Sequence, residues 1–327
     1  MTRSQPPQQI PVGTVVAVVG PTASGKSDLA IAIAGAIGGE VVNTDAMQVY
    51  RGMDIGTAKV PPAARRVPHH LLDFLDVTEA GSVAEFQVAA RTVIADLTRR
   101  GKNAVLVGGS GLYTDAVTDA LDFPGTDPTV RGRWEQRLAE LGPSALHADL
   151  ARLDPVAAAA INTGNGRRIV RALEVIELTG RPFRATLPPP AERTLLAHHR
   201  IGLAADRDVI ESRIADRVQR MWAEGLVDEV RALVAAGLTN GRTARTALGY
   251  AQILRLLSGE LDEEAAQLET TQATIRFARR QVAWFRRDPR VLWLPYDSAD
   301  LLQRALTALA GTAAQPAQPV ATRSIGT

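Results

Sequence analysis

The first residues whose types and spacing suggest chemistry are a lysine and a hydroxyl closing Gly20-Pro21-Thr22-Ala23-Ser24-Gly25-Lys26-Ser27. The octet fits G-x-x-x-x-G-K-[ST] in full. Glycines in such a turn let several backbone N–H groups point into one concavity. Lys26 brings a full positive charge to outer phosphates, and the Ser27 hydroxyl is placed to bind Mg²⁺. The flanks supply the required context. Val15 to Val19 is a short unbroken apolar run, expected of a strand buried on both faces. Asp28 to Ala34 are helix formers with apolar residues at helical spacing. That helix adds roughly half a positive charge at its N-terminus. A Gly-rich turn that merely fits the pattern is the competing reading; motif and context together point to a loop that binds a polyphosphate.

A second chemical candidate follows. Glu40 to Asp45 reads as a strand ending on an acid. Ligands of open α/β sheets sit outside the carboxyl ends of the strands, which aims Asp45 at the same crevice. A turn or N-cap aspartate competes with this reading. Ala104 to Val107 is another short apolar strand, ending in Gly108-Gly109-Ser110-Gly111. Many nucleoside triphosphatases place an acid for Mg²⁺-bound water at that point, and its absence argues against a motor or switch ATPase.

Around these residues the 327-residue chain is long enough for a large core with an insertion, or for two domains. It contains no cysteine, which excludes disulfides and thiolate metal sites. The N-terminal MTRSQPPQQIPVG lacks the apolar segment of a secretory signal, and no window approaches a membrane span. A soluble cytoplasmic protein is expected. Net charge is only +2, yet the positive charge is nearly all arginine, the only lysines being Lys26, Lys59 and Lys102. A GC-rich genome explains arginine abundance; arginine is also the better reader of phosphates and bases.

The expected fold is α/β, a P-loop NTPase-like parallel sheet core with an inserted helical domain. Residues 1–9 are polar and Pro-rich and are expected to be disordered, as is the low-complexity tail 312–327. The core spans 10–120 and 198–311. Between them, 121–197 is punctuated by prolines and carries no convincing strand, which predicts a helical insertion. His69-His70 has no metal spacing and reads as structural or surface. Ser82 caps a predicted amphipathic helix from Val83 to Arg99. His199 to Leu203 and Val291 to Leu294 read as strands. The helix Asp206 to Ala223 sets Arg213, Arg217 and Arg220 on one face, with a salt-bridged surface as the competing reading. The helix Glu263 to Arg287 interleaves Arg276, Arg279, Arg280, Arg286 and Arg287 with Phe277, Trp284 and Phe285, a pattern suited to a nucleic-acid backbone; a solvated face is the alternative.

GPTASGKS (20–27), DAMQVYRGMDIGTAK (45–59), GGSGLY (108–113), RALEV (171–175), LGYAQ (248–252) and RFARRQVAWFR (276–286) occur in one order. Together they resemble the bacterial tRNA dimethylallyltransferase family, the tRNA isopentenyl-adenosine synthases, over about residues 12 to 311. The resemblance implies transfer of a dimethylallyl group from its diphosphate to the N6 amine of the adenosine 3′-adjacent to the anticodon. It implies that Gly20, Pro21, Thr22, Ala23, Ser24, Gly25, Lys26 and Ser27 hold the diphosphate, with Mg²⁺ at Ser27. Asp45 would be the general base and Ser110, where relatives often carry threonine, would position the amine or bridge to phosphate. Arg217, with Arg213 as the alternative, would neutralise the leaving group. The tRNA contacts implied are Asp45, Ala46, Met47, Gln48 and Ser110 near the base; Arg131, Gly164, Asn165, Gly166, Arg167, Arg168 and Arg171 in the insertion; and Arg245, Gly249, Tyr250, Gln252, Arg276 and Arg280 toward the C-terminus. The insertion would clasp the anticodon loop and the basic helix would hold the stem. The partners implied are the tRNA anticodon stem-loop and dimethylallyl diphosphate, with no membrane, and the chain is expected to act as a monomer. The rival readings are an adenylate dimethylallyltransferase acting on free nucleotides, a small-molecule kinase using the loop for ATP, and a non-catalytic RNA-binding P-loop protein.

Overall fold

The computed structural model describes residues 10–311; both segments expected to be disordered, 1–9 and 312–327, lie outside the described residues. In chain order the elements are β1 (Val15–Val19), α1 (Lys26–Ile37), β2 (Gly39–Asn43), the two-residue β3 (His69–His70), α2 (Val83–Arg99), β4 (Asn103–Val107) and α3 (Gly111–Thr118). There follow α4 (Pro128–Leu153), α5 (Pro155–Ala160) and α6 (Gly166–Thr179). The last part holds β5 (His198–Ala204), α7 (Arg207–Ala223), α8 (Leu226–Ala235), α9 (Tyr250–Leu257), α10 (Glu263–Phe285), β6 (Val291–Pro295) and α11 (Leu301–Gly311). One compact unit comprises the described residues up to Ala120 and from Thr194 onward; Leu121–Arg193 form a second.

The first unit is built on one sheet in the order β3-β2-β4-β1-β5-β6, every pair parallel. β1 lies inside it, Val15 standing opposite Ala104 on one side and His198 on the other. This placement explains its composition: a strand covered on both faces has no use for polar alternation. Val16 and Val18 pack with Leu29 and Ile33 of α1 and Leu309 of α11. Val15, Ala17 and Val19 face the larger core, with Phe86 and Leu97 of α2, Ile214 of α7, Tyr250 and Phe285. Parallel strands connected by crossovers leave all the carboxyl ends at one edge, and three loops gather there: 20–25, 44–48 and 108–110.

The strand predicted to reach Asp45 stops at Asn43. The Thr44 N–H crosses to the Val107 carbonyl at 2.8 Å, and the Asn43 side chain accepts from the Asp45 N–H at 2.8 Å while donating to the Leu71 carbonyl. An asparagine that satisfies both neighbours ends the ladder. The histidine pair is a short edge strand, with His70 Nε2 2.6 Å from Glu40 Oε2. Ser82 accepts from the Glu85 N–H and starts α2 at the expected residue.

In the second unit, α4 and α6 pack through Leu146, Leu150, Ile169 and Leu173. Gly142 breaks the helical backbone of α4 just before Pro143, which could not otherwise be accommodated inside a helix.

Candidate active site

The phosphate loop leaves β1 and turns into α1 through Gly25, in the left-handed region at φ 90°. Ala23 also lies at positive φ, 63°, a conformation that a side chain tolerates poorly and that a ligand-cradling turn often contains. The loop closes on the Pro21 carbonyl, which accepts from Ser24 Oγ at 2.8 Å and from Lys26 Nζ at 2.7 Å. Burial pushes the Lys26 ammonium down to about 8; repulsion from Arg217 adds to this, and attraction to Asp45 opposes it. Arg217, carried by α7, is itself lowered by burial, again with Asp45 opposing. Two cations and one carboxylate therefore interact across a partly buried space, an arrangement short of negative charge.

Asp45 is held firmly. Its Oδ1 accepts from the Met47 N–H at 2.8 Å, so the turn-aspartate reading is realised in the same residue that interacts electrostatically with Lys26 and Arg217. Ser110 Oγ accepts from the Ala46 N–H at 3.2 Å, tying the GGSG loop to this turn. Gln48 Nε2 and Arg217 Nη2 both donate to the Thr57 carbonyl, at 3.1 and 3.4 Å. The loop after β2 thereby orients the guanidinium of α7. Arg213, the alternative to Arg217, places its guanidinium 5.0 Å from the Tyr296 ring, in a surface groove also lined by Ser24 and Gly25 of the phosphate loop and by Asp28 and Leu302.

Two positioning groups were not evident from sequence. Glu229, in the first turn of α8, accepts from the N–H groups of Asp54 at 3.1 Å, Ile55 at 2.7 Å and Gly56 at 3.3 Å. It fixes the turn that carries Thr57. The Tyr250 hydroxyl donates to the same carboxylate at 2.5 Å, and burial beside Glu229 raises its pKa. Tyr250, expected at the RNA interface, is fully buried and corrects that expectation: it supports Glu229 from within the core. Gln281 of α10 is the second group. Its Oε1 accepts from the Thr22 N–H at 2.8 Å and its Nε2 donates to the Gly109 carbonyl at 3.0 Å. The only signal in the sequence was the position of Gln281 inside RFARRQVAWFR; nothing marked Glu229 among the acids around it.

Behind α3 lies a buried ionic network. Arg200 donates to Asp115 and Asp288 at 2.7 Å each, Arg290 donates to Asp119 at 2.8 and 2.9 Å, and Trp284 Nε1 donates to Asp115 at 3.1 Å. Burial and the neighbouring Arg200 lower His198 to about 4, so its neutral ring accepts from Arg200 Nε. The network joins β5, α3 and the end of α10 into one rigid support.

The remaining candidates are spread more widely. Arg276 and Arg280 of α10 are exposed, Arg280 lying 5.8 Å from the Phe277 ring. Arg279 is engaged by Glu211 of α7 at 2.8 Å, a carboxylate that also accepts from Arg207 at 2.7 Å. Arg245 is exposed and donates to the Thr239 carbonyl. Gly249 begins α9 with its N–H capped by Gln252 Oε1 at 2.9 Å, giving both a helix-starting role. In the second unit Glu174 is fully buried and accepts from Thr126, from Arg171 at 2.9 Å and from Arg131 at 3.3 Å. Burial alone would raise its pKa; the Thr126 and Arg171 hydrogen bonds hold it below the ordinary value. Arg131 and Arg171 therefore anchor their own unit. Arg168 donates to the Ala185 carbonyl, Asn165 caps α6 through the Arg168 N–H, and Gly164 and Arg167 are exposed.

Among the described residues no group of three or more His, Cys, Asp or Glu could hold a metal, and no helix is long and apolar enough to cross a membrane.

The IPP transferase family model matches residues 48–288, and an isopentenyl transferase model matches residues 13–71. The chain is 62% identical over 300 residues to a tRNA dimethylallyltransferase of Thermobifida fusca, covering 90% of this chain and 93% of the relative. It is 58% identical over 302 residues to the tRNA dimethylallyltransferase of Salinispora arenicola, covering 92% and 88%. Among solved structures it resembles the tRNA isopentenylpyrophosphate transferase of Bacillus halodurans, with a TM-score of 0.68, 38% identity and coverage of 91% and 96%. A eukaryotic dimethylallyltransferase solved acting on tRNA gives a TM-score of 0.73 at 26% identity, covering 90% and 78%. A parallel sheet ending in a phosphate loop, a carboxylate beside it and these relatives lead to one conclusion: the chain belongs to the IPP transferase family, the tRNA dimethylallyltransferases.

Proposed function

We propose that this protein, acting as a monomer in the cytoplasm, transfers the dimethylallyl group of dimethylallyl diphosphate to N6 of the adenosine 3′-adjacent to the anticodon of tRNA. The observation that carries the reading is the convergence of Lys26, Arg217 and Asp45 at one edge of the sheet. The bond between C1 of the donor and the diphosphate oxygen breaks with its electron pair passing to that oxygen, and the N6–C1 bond forms. Lys26, Arg217 and the backbone N–H groups of residues 20–27 stabilise the charge growing on the leaving group, as fixed donors in a poorly solvated site do most effectively. The exocyclic amine is a weak nucleophile because its lone pair is conjugated into the purine. Asp45 accepts its proton as the new bond forms, and Ser110 orients it.

Mg²⁺ suits the donors present. Ser27 is partly buried in the first turn of α1, and diphosphate and water oxygens would complete an all-oxygen shell of the kind this ion prefers. When bound it would supply further neutralisation of the phosphates. The base must leave the anticodon stack to reach Asp45, at a cost of a few kcal/mol. Exposed Arg276 and Arg280, with Arg167 and Arg245, are the cations best suited to the RNA backbone. The test presents dimethylallyl diphosphate without ATP to two acceptors, an anticodon stem-loop and free adenosine monophosphate, with mass spectrometry of the nucleosides. Prenylation of the stem-loop alone is expected. Preference for the mononucleotide, or a requirement for ATP with a phosphorylated product, would refute it.

A further inference from the structure

Gln281 stands in a position that neither the phosphate loop nor the basic helix explains alone. It lies on α10, is 5% exposed, and spends both ends of its amide on the site: Oε1 on the Thr22 N–H at 2.8 Å and Nε2 on the Gly109 carbonyl at 3.0 Å. Thr22 belongs to the phosphate loop and Gly109 precedes Ser110, so one side chain spans the two loops that would hold the donor and the amine. The carboxamide supplies the acceptor and the donor on one planar group. The fit is close: a Cβ on Gly109 would collide with the Gln281 amide, and a Cβ on Gly111 would collide with Trp284, one helical turn farther along α10. The buried face of α10 is thus shaped against the GGSG turn, while Arg276 and Arg280 on the same helix face solvent.

We infer that Gln281 is a positioning residue that latches the phosphate loop to the GGSG loop and sets the separation between diphosphate and acceptor amine. The inference rests on the proposed reading of the phosphate loop. It acts through backbone atoms and touches no reacting group itself.

Gln281→Met removes both hydrogen bonds at similar length, and Gln281→Glu keeps the acceptor while replacing the donor by a group that donates only when protonated. For Gln281→Met we expect kcat/KM for dimethylallyl diphosphate to fall roughly tenfold, about 1.4 kcal/mol, with anticodon stem-loop affinity unchanged. For Gln281→Glu, the ratio of its kcat/KM to that of the unmodified protein should rise on acidification from pH 8 to 6, because a neutral carboxyl restores both bonds; a ratio near one throughout supports the latch only where Gln281→Met has lost activity, since burial favours the neutral acid. A low ratio that does not change with pH, or a Gln281→Met loss in RNA affinity equal to the loss in donor kcat/KM, overturns the inference. Lys26→Ala separates the two levels. If it leaves donor KM unchanged, the reading of the loop fails; if it raises KM while Gln281→Met and Gln281→Glu behave like the unmodified protein, only the latch fails.

Discussion

Raising the pH from 7 to 9 should weaken donor binding through Lys26 alone. Burial and the nearby Arg217 bring this ammonium from its ordinary 10.5 to about 8 in the free protein. If only the charged lysine grips the diphosphate, the protonated fraction falls from ~90% at pH 7 to ~10% at pH 9, and apparent donor affinity falls about tenfold over that span. Phosphates of this kind shed their last proton near pH 6, so the donor's own charge hardly changes in the window. The bound anion restores the lysine's proton, so binding at pH 8.5 should take up most of one proton from the buffer. Calorimetry in buffers of different ionisation enthalpy reads this directly, with donor KM as the kinetic check. The sign for folding is opposite. A lysine whose folded pKa is lowered binds fewer protons than the unfolded chain between about 8 and 10.5, so without ligand its contribution to stability improves as pH rises through that range. Lys26→Arg, which stays charged, should bind the donor with no such pH dependence. Donor affinity that is flat from pH 7 to 9, or an arginine variant with the same decline, would refute the reasoning.

Asp45→Asn keeps an oxygen for the Met47 N–H but cannot take a proton, so kcat should fall by about 10²–10⁴-fold with stem-loop affinity nearly intact; equal losses in both would make Asp45 a grip on the base. Asp45→Ala should lose as much turnover and also the turn hydrogen bond, worth about 1 kcal/mol of stability. Arg280→Ala should weaken tRNA binding and lower its salt slope by about one contact while sparing donor KM, and an unchanged slope would leave Arg280 as a solvated surface residue. Glu229→Ala strands three backbone N–H groups and should cost about 2–3 kcal/mol in denaturant unfolding; a loss under ~0.5 kcal/mol would mean that water replaces the carboxylate. Tyr250→Phe should cost stability rather than RNA affinity, and a selective loss of RNA affinity would return it to the interface.

Much of the frame was legible because it depends on local rules. The unbroken apolar run of β1, the glycine–lysine turn and the Ser82 cap each declare themselves within a few residues. The sheet order was not legible, since pairing β1 with β5 joins residues separated by the whole second unit. Among the site residues, Asp45 and Arg217 were named through the family resemblance, helical spacing alone setting Arg217 on one face with Arg213 and Arg220. Glu229, Gln281 and the burial of Tyr250 were not, because each depends on which backbone groups the fold leaves facing a particular cavity wall. A motif records that Tyr250 belongs to the pattern LGYAQ; only packing distinguishes a ring that touches RNA from one that holds up a loop.

The turn around Asp45 has one more consequence. With one oxygen tethered by the Met47 amide, the carboxyl group has already surrendered its rotational freedom before any substrate arrives. On the proposed chemistry, proton capture would then need no swing of the side chain. The burden of alignment shifts to the RNA, which must bring its extruded purine to a fixed mark.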